Sequence, residues 1–412
     1  MVTSYHNNKI TAIIQTDLSC AFDTVDHTTM INKLYHYGIR GSTSNLLKSI
    51  LSDRYQYVSI DGIKSEVLPS LECSVLQGSK LSSVLYNAYC NEIPLLYKLM
   101  NTELYQLMTN HTPVGTVSNM LHNVIQYVDD STNVISTEDE NSLQSYINDY
   151  FKILEAYYNI NKLLINSDKS KLMISCKPSL RNKVTNITLK ASQYVIEQSD
   201  KIKVLGTYIT SGLTNLATIN DMIAKINFHR QLLYNIFKYS KLRTKIILTN
   251  SLIISIFRYA SPLLINSNIN EIKKLQTLLM KCSRPILGYE SYKLSTTKIM
   301  QKLKWLTIPH LIMKESILFL HKVIYENLPK SIFDFYTYSH NSNQNIRSVR
   351  KIMVKNVSTS EKAKKSLIYK SAYLFNQLPE EVRMYNKKKL SKYLQTNINI
   401  YFHAEKIGAY NE

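Results

Sequence analysis

The chain has 412 residues, 44% of them hydrophobic, which excludes a disordered polypeptide and leaves room for two or three domains with a sizeable core. Its net charge is +20 and its pI about 9.4, so a polyanionic partner is expected, with nucleic acid favoured over a membrane surface. The five cysteines are widely spaced and lack zinc-site spacing, and no GxxxxGK[ST] motif occurs, which argues against a disulfide scaffold, structural zinc and a P-loop.

No segment of the sequence has the features of a signal peptide or a membrane span. The N-terminus lacks an apolar core, and the most hydrophobic stretch, residues 248–265, contains Asn250 and Arg258. This stretch therefore predicts a buried helix. We expect an intracellular protein without membrane attachment, and the sequence does not distinguish nucleus from cytoplasm.

The N-terminal half predicts alternating strands and helices. The apolar, β-branched run 10–16 predicts a strand that ends at Asp17. The helical period and the cap residues then predict a helix over 28–37 closed by Gly38 and a helix from 42 or 43 to 51. A hairpin is predicted around Asp61-Gly62. A helix over 81–99 and an irregular insertion over 101–121 follow.

Two adjacent carboxylates, Asp129 and Asp130, lie between two short β-prone runs, which predicts a hairpin with acids at its tip. An Asp-Asp pair alone is more often a solvated turn. A third carboxylate, Asp17, ends the first predicted strand, so pairing of the two segments in one sheet would bring the three acids together. Such a cluster suits hard divalent cations.

After this hairpin the pattern predicts a helix capped by Thr137, with Glu140 at the capping-box position, that ends near residue 160. Short strands are predicted over 171–175, 187–189 and 203–209. From residue 218 onward we predict helices over 218–239, 243–260, 269–286, 294–304 and 308–326, without strands. Residues 341–412 contain 14 Lys and Arg against five Glu, and predict a basic helical tail.

The order of motifs resembles the palm of reverse transcriptases, most closely those of non-LTR (LINE-type) retrotransposons. The segments that match are DLSCAFDTVDH at 17–27, QGS at 77–79 with LYNAY at 85–89, YVDD at 127–130, NSDKSK at 166–171 and VLGTY at 204–208. Weaker similarity continues in KWLTIP at 304–309 and LFNQLPEEVR at 374–383.

The resemblance implies an α+β fold. It predicts a palm of antiparallel sheet and packed helices, with most of the fingers missing, over residues 1–213. An all-α thumb and connection region would follow over 214–336, and a basic helical C-terminal region over 337–412.

The resemblance also implies an RNA-directed DNA polymerase, a nucleotidyltransferase that acts on an RNA template, a DNA primer and dNTPs. Two Mg²⁺ ions, for which Mn²⁺ could substitute, would be bound by Asp17, Asp129 and Asp130, and phosphoryl transfer needs such charge neutralisation. Lys169 would lie near the leaving pyrophosphate as a proton donor.

The remaining implied site residues bind substrate. Phe22 would exclude a ribose 2′-hydroxyl by its bulk, and Gln77 and Gly78 would contact the nascent base pair. The other positions carried over are the Leu18 carbonyl as an extra metal ligand, Tyr127 beside the acids, and Leu205 and Gly206 at the turn that holds the primer end.

The sequence departs from the family pattern in three ways. Only sixteen residues precede Asp17, where the family has fingers that grip the triphosphate, and we therefore expect an N-terminally truncated product with impaired activity. Leu76 and Ser83 stand where the family usually has Pro, and neither an endonuclease domain nor a Cys/His knuckle is present. A non-catalytic nucleic-acid-binding remnant or domesticated retroelement protein is the alternative function, and a group II intron-type maturase is a third.

Overall fold

The protein contains both helices and sheet, and helices predominate. The computed structural model describes residues 9–69, 73–100, 102–109, 120–184, 187–191, 194–326, 330–338, 351–354, 364 and 366–401. The strands are β1 (Ile10–Thr16), β2 (Leu18–Ser19), β3 (Tyr55–Gln56), β4 (Ser59–Ile60), β5 (Ile63–Lys64), β6 (Leu68–Pro69), β7 (Leu121–Tyr127), β8 (Asp130–Thr137), β9 (Leu164–Ile165), β10 (Lys171–Ser175), β11 (Leu189–Ala191), β12 (Tyr194–Ile196), β13 (Lys201–Val204), β14 (Thr207–Thr210), β15 (Tyr336–Tyr338) and β16 (Ile352–Val354).

The α-helices are α1 (His27–His36), α2 (Gly41–Leu51), α3 (Lys80–Tyr89), α4 (Glu103–Thr109), α5 (Glu140–Ile160), α6 (Leu216–Phe237), α7 (Leu242–Thr249), α8 (Ser255–Ala260), α9 (Ile269–Leu287), α10 (Thr296–Leu303), α11 (Ile308–Tyr325), α12 (Lys330–Phe333), α13 (Leu367–Asn376), α14 (Glu380–Arg383) and α15 (Lys387–Tyr401). Within the described ranges, none of the helices has the length and apolar character needed to span a membrane. All five cysteines are free thiols.

The chain divides into two compact units, Thr3–Val204 and Leu205–Glu412, each with its own hydrophobic core. The predicted boundaries at 213/214 and 336/337, which separate palm, thumb and C-terminal region, stay a prediction. The predicted candidate site falls in the first unit, apart from Leu205 and Gly206, which begin the second.

A four-stranded antiparallel sheet is the centre of the first unit, with the strand order β10–β1–β8–β7. β1 lies between two partners and almost all of its side chains are buried, which explains its apolar, β-branched sequence. Helix α5 packs its buried aromatic residues, among them Tyr150, Phe151 and Tyr158, into the same core. The predicted pairing of the Asp17 strand with the carboxylate hairpin is confirmed.

Two local predictions in the first unit are confirmed by cap and turn geometry. Helix α1 is followed by Gly38 with φ of +90°, the left-handed conformation that glycine adopts without a steric penalty. The hairpin turn at Asp61-Gly62 joins β4 to β5, and both turn residues have positive φ, as a type I′ turn requires.

Three predicted boundaries in the first unit are wrong. Thr137 does not cap α5, because it pairs with Ile10 in the sheet, and the side chain of Asp139 accepts the capping bond from the Ser142 N–H instead. The predicted helix over 81–99 ends at Tyr89 and resumes as a 3₁₀ helix over Ile93–Leu99, whose first turn contains a proline. The predicted irregular insertion contains helix α4, and its residues 110–119 lie outside the described residues.

The second unit is mainly helical. Helices α6 to α11 pack around one core, and α7 continues through a π-helical segment, Asn250–Ile254, into α8, so that the predicted helix over 243–260 is one helix with a π turn. Strands β15 and β16 interrupt the predicted helical series as an antiparallel pair. The side-chain amide of Asn376 accepts from the N–H of Ile352 and donates to its C=O, which satisfies both backbone groups of this residue.

Candidate active site

The register of the central sheet brings the three predicted acids to one end of it. Thr16 pairs with Ser131, so the residues that follow β1 and precede β8 lie side by side. Tyr127 pairs with Asp130 across a tight turn, in which Val128 has φ of +56°. The three acids Asp17, Asp129 and Asp130 therefore lie at the same end of the sheet, although more than a hundred residues separate the first from the other two.

These carboxylates influence one another electrostatically. Burial raises the pKa of Asp17, the Lys169 ammonium lowers it, and the negative charge of Asp129 raises it. Burial also raises the pKa of Asp130, with further contributions from the charges of Asp129 and Asp17. Three acids that repel one another at one place form a site where a cation would relieve the repulsion.

The chemistry of these donors fits a hard divalent cation, because carboxylate oxygens are the preferred ligands of Mg²⁺. Among the described residues, no group of three or more His, Cys, Asp or Glu side chains is arranged to hold a metal ion. The carboxylate of Asp17 lies against Lys169 instead, with 3.9 Å between Nζ and Oδ2. A cation bound at Asp17 would therefore compete with this ammonium group.

A short loop between β9 and β10 fixes the backbone of Asp17 from both sides. The N–H of Asn166 donates to the Asp17 carbonyl at 2.9 Å, and the Asp17 N–H donates to Ser170 Oγ at 3.1 Å. The loop also holds itself together, because the Lys169 N–H donates to Asn166 Oδ1 and the Ser170 N–H to the Asn166 carbonyl. This clamp sets the position of Asp17 and carries Lys169 to it. The role of Ser170 was not predicted from the sequence, in which only its position next to Lys169 marks it.

The predicted sugar-contacting and base-contacting residues lie next to one another in the first unit. The ring of Phe22 stacks on Tyr86, with 5.0 Å between ring centroids and 18° between ring planes. Nε2 of Gln77 donates to Asp23 Oδ1 at 3.3 Å, which ties the Gln77-Gly78 turn to the segment that carries Phe22. Gly78 has φ of +83°, a conformation that a side chain would strain.

The other predicted site residues have separate surroundings. Leu18 lies in β2, and its side chain is buried. Tyr127 ends β7 and is 61% exposed. Leu205 and Gly206 form a turn in which both have positive φ, and the hydroxyl of Tyr259 donates to the Leu205 carbonyl. The structure thus groups Asp17, Asp129, Asp130 and Lys169, whereas the turn at 205–206 belongs to the other unit.

Comparison with known proteins matches residues 3–209, half of the chain, to the family model of reverse transcriptases (RNA-dependent DNA polymerases). The RNA-directed DNA polymerase of the mobile element jockey from Drosophila melanogaster is 26% identical over 153 residues. That match covers 37% of this chain and 15% of the length of the jockey protein.

Among solved structures, apo telomerase from Candida tropicalis, truncated of its C-terminal domain, is 13% identical. It matches 52% of this chain and 38% of its own, with a TM-score of 0.33. Telomerase from the same yeast in complex with a fragment of telomeric RNA is 11% identical, matches 96% of this chain and 51% of its own, and has a TM-score of 0.34. By its match over residues 3–209, which contain all five motifs, this chain belongs to the reverse transcriptase family.

Proposed function

We propose that the protein is an RNA-directed DNA polymerase of retroelement origin, which extends a DNA primer on an RNA template with dNTPs. The observation that carries the proposal is the convergence of Asp17 with Asp129 and Asp130 at one end of the central sheet. Membership of the reverse transcriptase family supports this function, and the net charge of +20 fits a nucleic-acid substrate.

In this proposal Asp17 and Asp129 are the principal ligands of two Mg²⁺ ions, and Asp130 and the Leu18 carbonyl contribute further oxygens. When bound, the ions neutralise charge on the attacking and leaving oxygens, and Mn²⁺ can take their place. Burial raises the pKa of Asp17 and of Asp130, and the charge of neighbouring acids raises it further, which supports a bound cation at this place.

Lys169 has the role of holding a proton near the leaving pyrophosphate. Its side chain is 71% exposed and its ammonium group lies 3.9 Å from the Asp17 carboxylate, so this ion pair is weak and would not prevent Asp17 from acting as a metal ligand. In this position the ammonium group would stabilise the negative charge that develops on the leaving group.

Phe22 limits the space at the sugar of the incoming nucleotide, and its stacking on Tyr86 supports a fixed ring position. Gln77 and Gly78 contact the nascent base pair, and the absence of a side chain on Gly78 allows close backbone approach. Exposed Tyr127 contacts substrate beside the acids.

We assign the first unit to a polymerase palm and the helical second unit to a thumb and connection region. The turn at Leu205-Gly206 contributes to holding the primer end, and the net positive charge of the second unit attracts phosphates without reading base sequence.

The test is divalent-metal-dependent extension of a DNA primer on an RNA template by the full chain. Asp129→Asn should abolish extension and leave RNA binding intact, because it removes a metal ligand from an exposed turn. Asp61→Asn is the matched control, since it makes the same change in charge at another exposed turn whose left-handed backbone asparagine also tolerates. RNA binding by the wild type without any extension would instead support a nucleic-acid-binding remnant.

A further inference from the structure

The second unit contains a groove with no role in the proposed chemistry. It lies between the C-terminal halves of α6 and α9 and the segment around Thr249–Ile253, and its volume is about 730 Å³. Small-molecule sites have volumes of ~300–1,000 Å³, so the groove is large enough for one nucleotide.

The lining of the groove is basic. Arg230 comes from α6, and Lys281 and Arg284 come from α9, whereas no Asp or Glu is among the described residues that line the groove. In the described part of the chain none of these three cations forms an ion pair, and the buried Nε of Arg284 has no hydrogen-bond partner. Uncompensated positive charge at three neighbouring positions favours a phosphate ligand.

Aromatic and amide side chains complete the groove. Tyr292 is 66% exposed, and the Arg284 guanidinium lies over its ring at 5.1 Å from the centroid. Tyr234 on α6 is 72% exposed, and Asn227 and Gln231 supply amides that can bond base edges. Exposed rings beside unpaired cations are how proteins bind unpaired nucleotides, because a free base has an open face on which to stack.

We propose that this groove binds an unpaired nucleotide of a single nucleic-acid strand. Its phosphates are held by Arg230, Lys281 and Arg284, and its base stacks on Tyr292. The bases of a duplex have no open face, so paired nucleic acid does not use the groove in this way. The proposal concerns the second unit alone and does not depend on polymerase activity.

The test is the affinity of the full chain for a short fluorescein-labelled oligouridylate, measured by anisotropy over a range of salt concentrations. Tyr292→Ala should weaken binding at least about fivefold, whereas Tyr292→Phe, which keeps the ring, should bind like the wild type. Lys281→Gln should weaken binding and lower the salt slope by about 0.7, the value for one lost phosphate contact to a single strand.

Two control variants separate the groove from general charge and ring content. Lys273→Gln makes the same change at an exposed position of α9 outside the groove, and Tyr239→Ala removes an exposed ring that does not line it. Both should bind the oligouridylate like the wild type. Circular dichroism on every variant checks that the fold is retained.

The proposal is wrong if Tyr292→Ala and Lys281→Gln lose no more affinity than their controls. It is also wrong if Tyr292→Phe loses as much affinity as Tyr292→Ala. A third contradicting result would be that Tyr292→Ala and Lys281→Gln weaken binding of the duplex, in which the oligouridylate is annealed to its complement, as much as binding of the single strand. Asp129→Asn should bind the oligouridylate like the wild type. The binding test therefore gives the same result whether or not the protein extends a primer.

Discussion

Ser170 gives a direct test of how the candidate site is held. Its buried hydroxyl accepts the Asp17 N–H at 3.1 Å, and Ser170→Ala leaves that N–H without this partner. Loss of such a bond costs about 1 kcal/mol, and up to about 3 kcal/mol when the N–H finds no substitute. We expect unfolding at a correspondingly lower denaturant concentration, with an unchanged m-value.

The same substitution should slow primer extension, because the backbone of Asp17 is no longer fixed on one side. A displacement of about 1 Å at a catalytic group costs on the order of 100-fold, so a fall of at least tenfold in kcat is expected, with a smaller change in KM for dNTP. Ser316→Ala is the control. The buried hydroxyl of Ser316 donates to the Ile312 carbonyl within the same helix, so its removal leaves no backbone N–H without a partner. Equal stability and equal extension rates in the two variants would refute the argument.

Three further substitutions test other groups. Asp26 caps α1; burial alone would raise its pKa, but hydrogen bonds, above all from Lys162, lower it from the ordinary 3.8 to about 2. The contribution of Asp26 to the free energy of unfolding is present above pH 4 and is lost as the pH falls towards 2. In denaturant titrations at several pH values, Asp26→Asn should therefore reduce the loss of stability between pH 4 and pH 2. An unchanged dependence of stability on pH in this variant would contradict the argument. Burial lowers the pKa of His122 from 6.5 to about 4, so stability should rise by up to about 3 kcal/mol between those pH values, and His122→Gln should remove that rise. Phe22→Val should increase the use of ribonucleotides relative to deoxyribonucleotides about tenfold in extension assays, and unchanged selectivity would exclude the sugar role.

The central features of the fold follow from local patterns. The run Ile10–Thr16 and the β-prone runs on either side of Asp129 identify the strands, and the burial of β1 and β8 explains why they pair in one sheet. Asp-Gly at 61–62 identifies its hairpin because the type I′ turn needs two positive φ values. These features were predictable since their causes lie within a few residues.

The errors have causes that act at a distance. Thr137 is a good cap by composition, but its pairing with Ile10 keeps it in the sheet and moves the cap to Asp139. Strand β16 of the pair β15–β16 is bonded by the side chain of Asn376, more than twenty residues further on. The role of Ser170 depends on a bond to a backbone group 153 residues away, which leaves no local signal.

The candidate active site is held by two long-range constraints, and both act on the backbone. The sheet register places Asp17 beside the Asp129 turn, and the loop over 166–170 bonds the Asp17 backbone from both sides. The carboxylate of Asp17 is therefore held close to Asp129 and Asp130, whose charges repel its own, and Lys169 forms an ion pair with it at 3.9 Å. Because rigid backbone bonds oppose this repulsion, the site keeps its negative charge concentrated, which is what binding of a divalent cation requires.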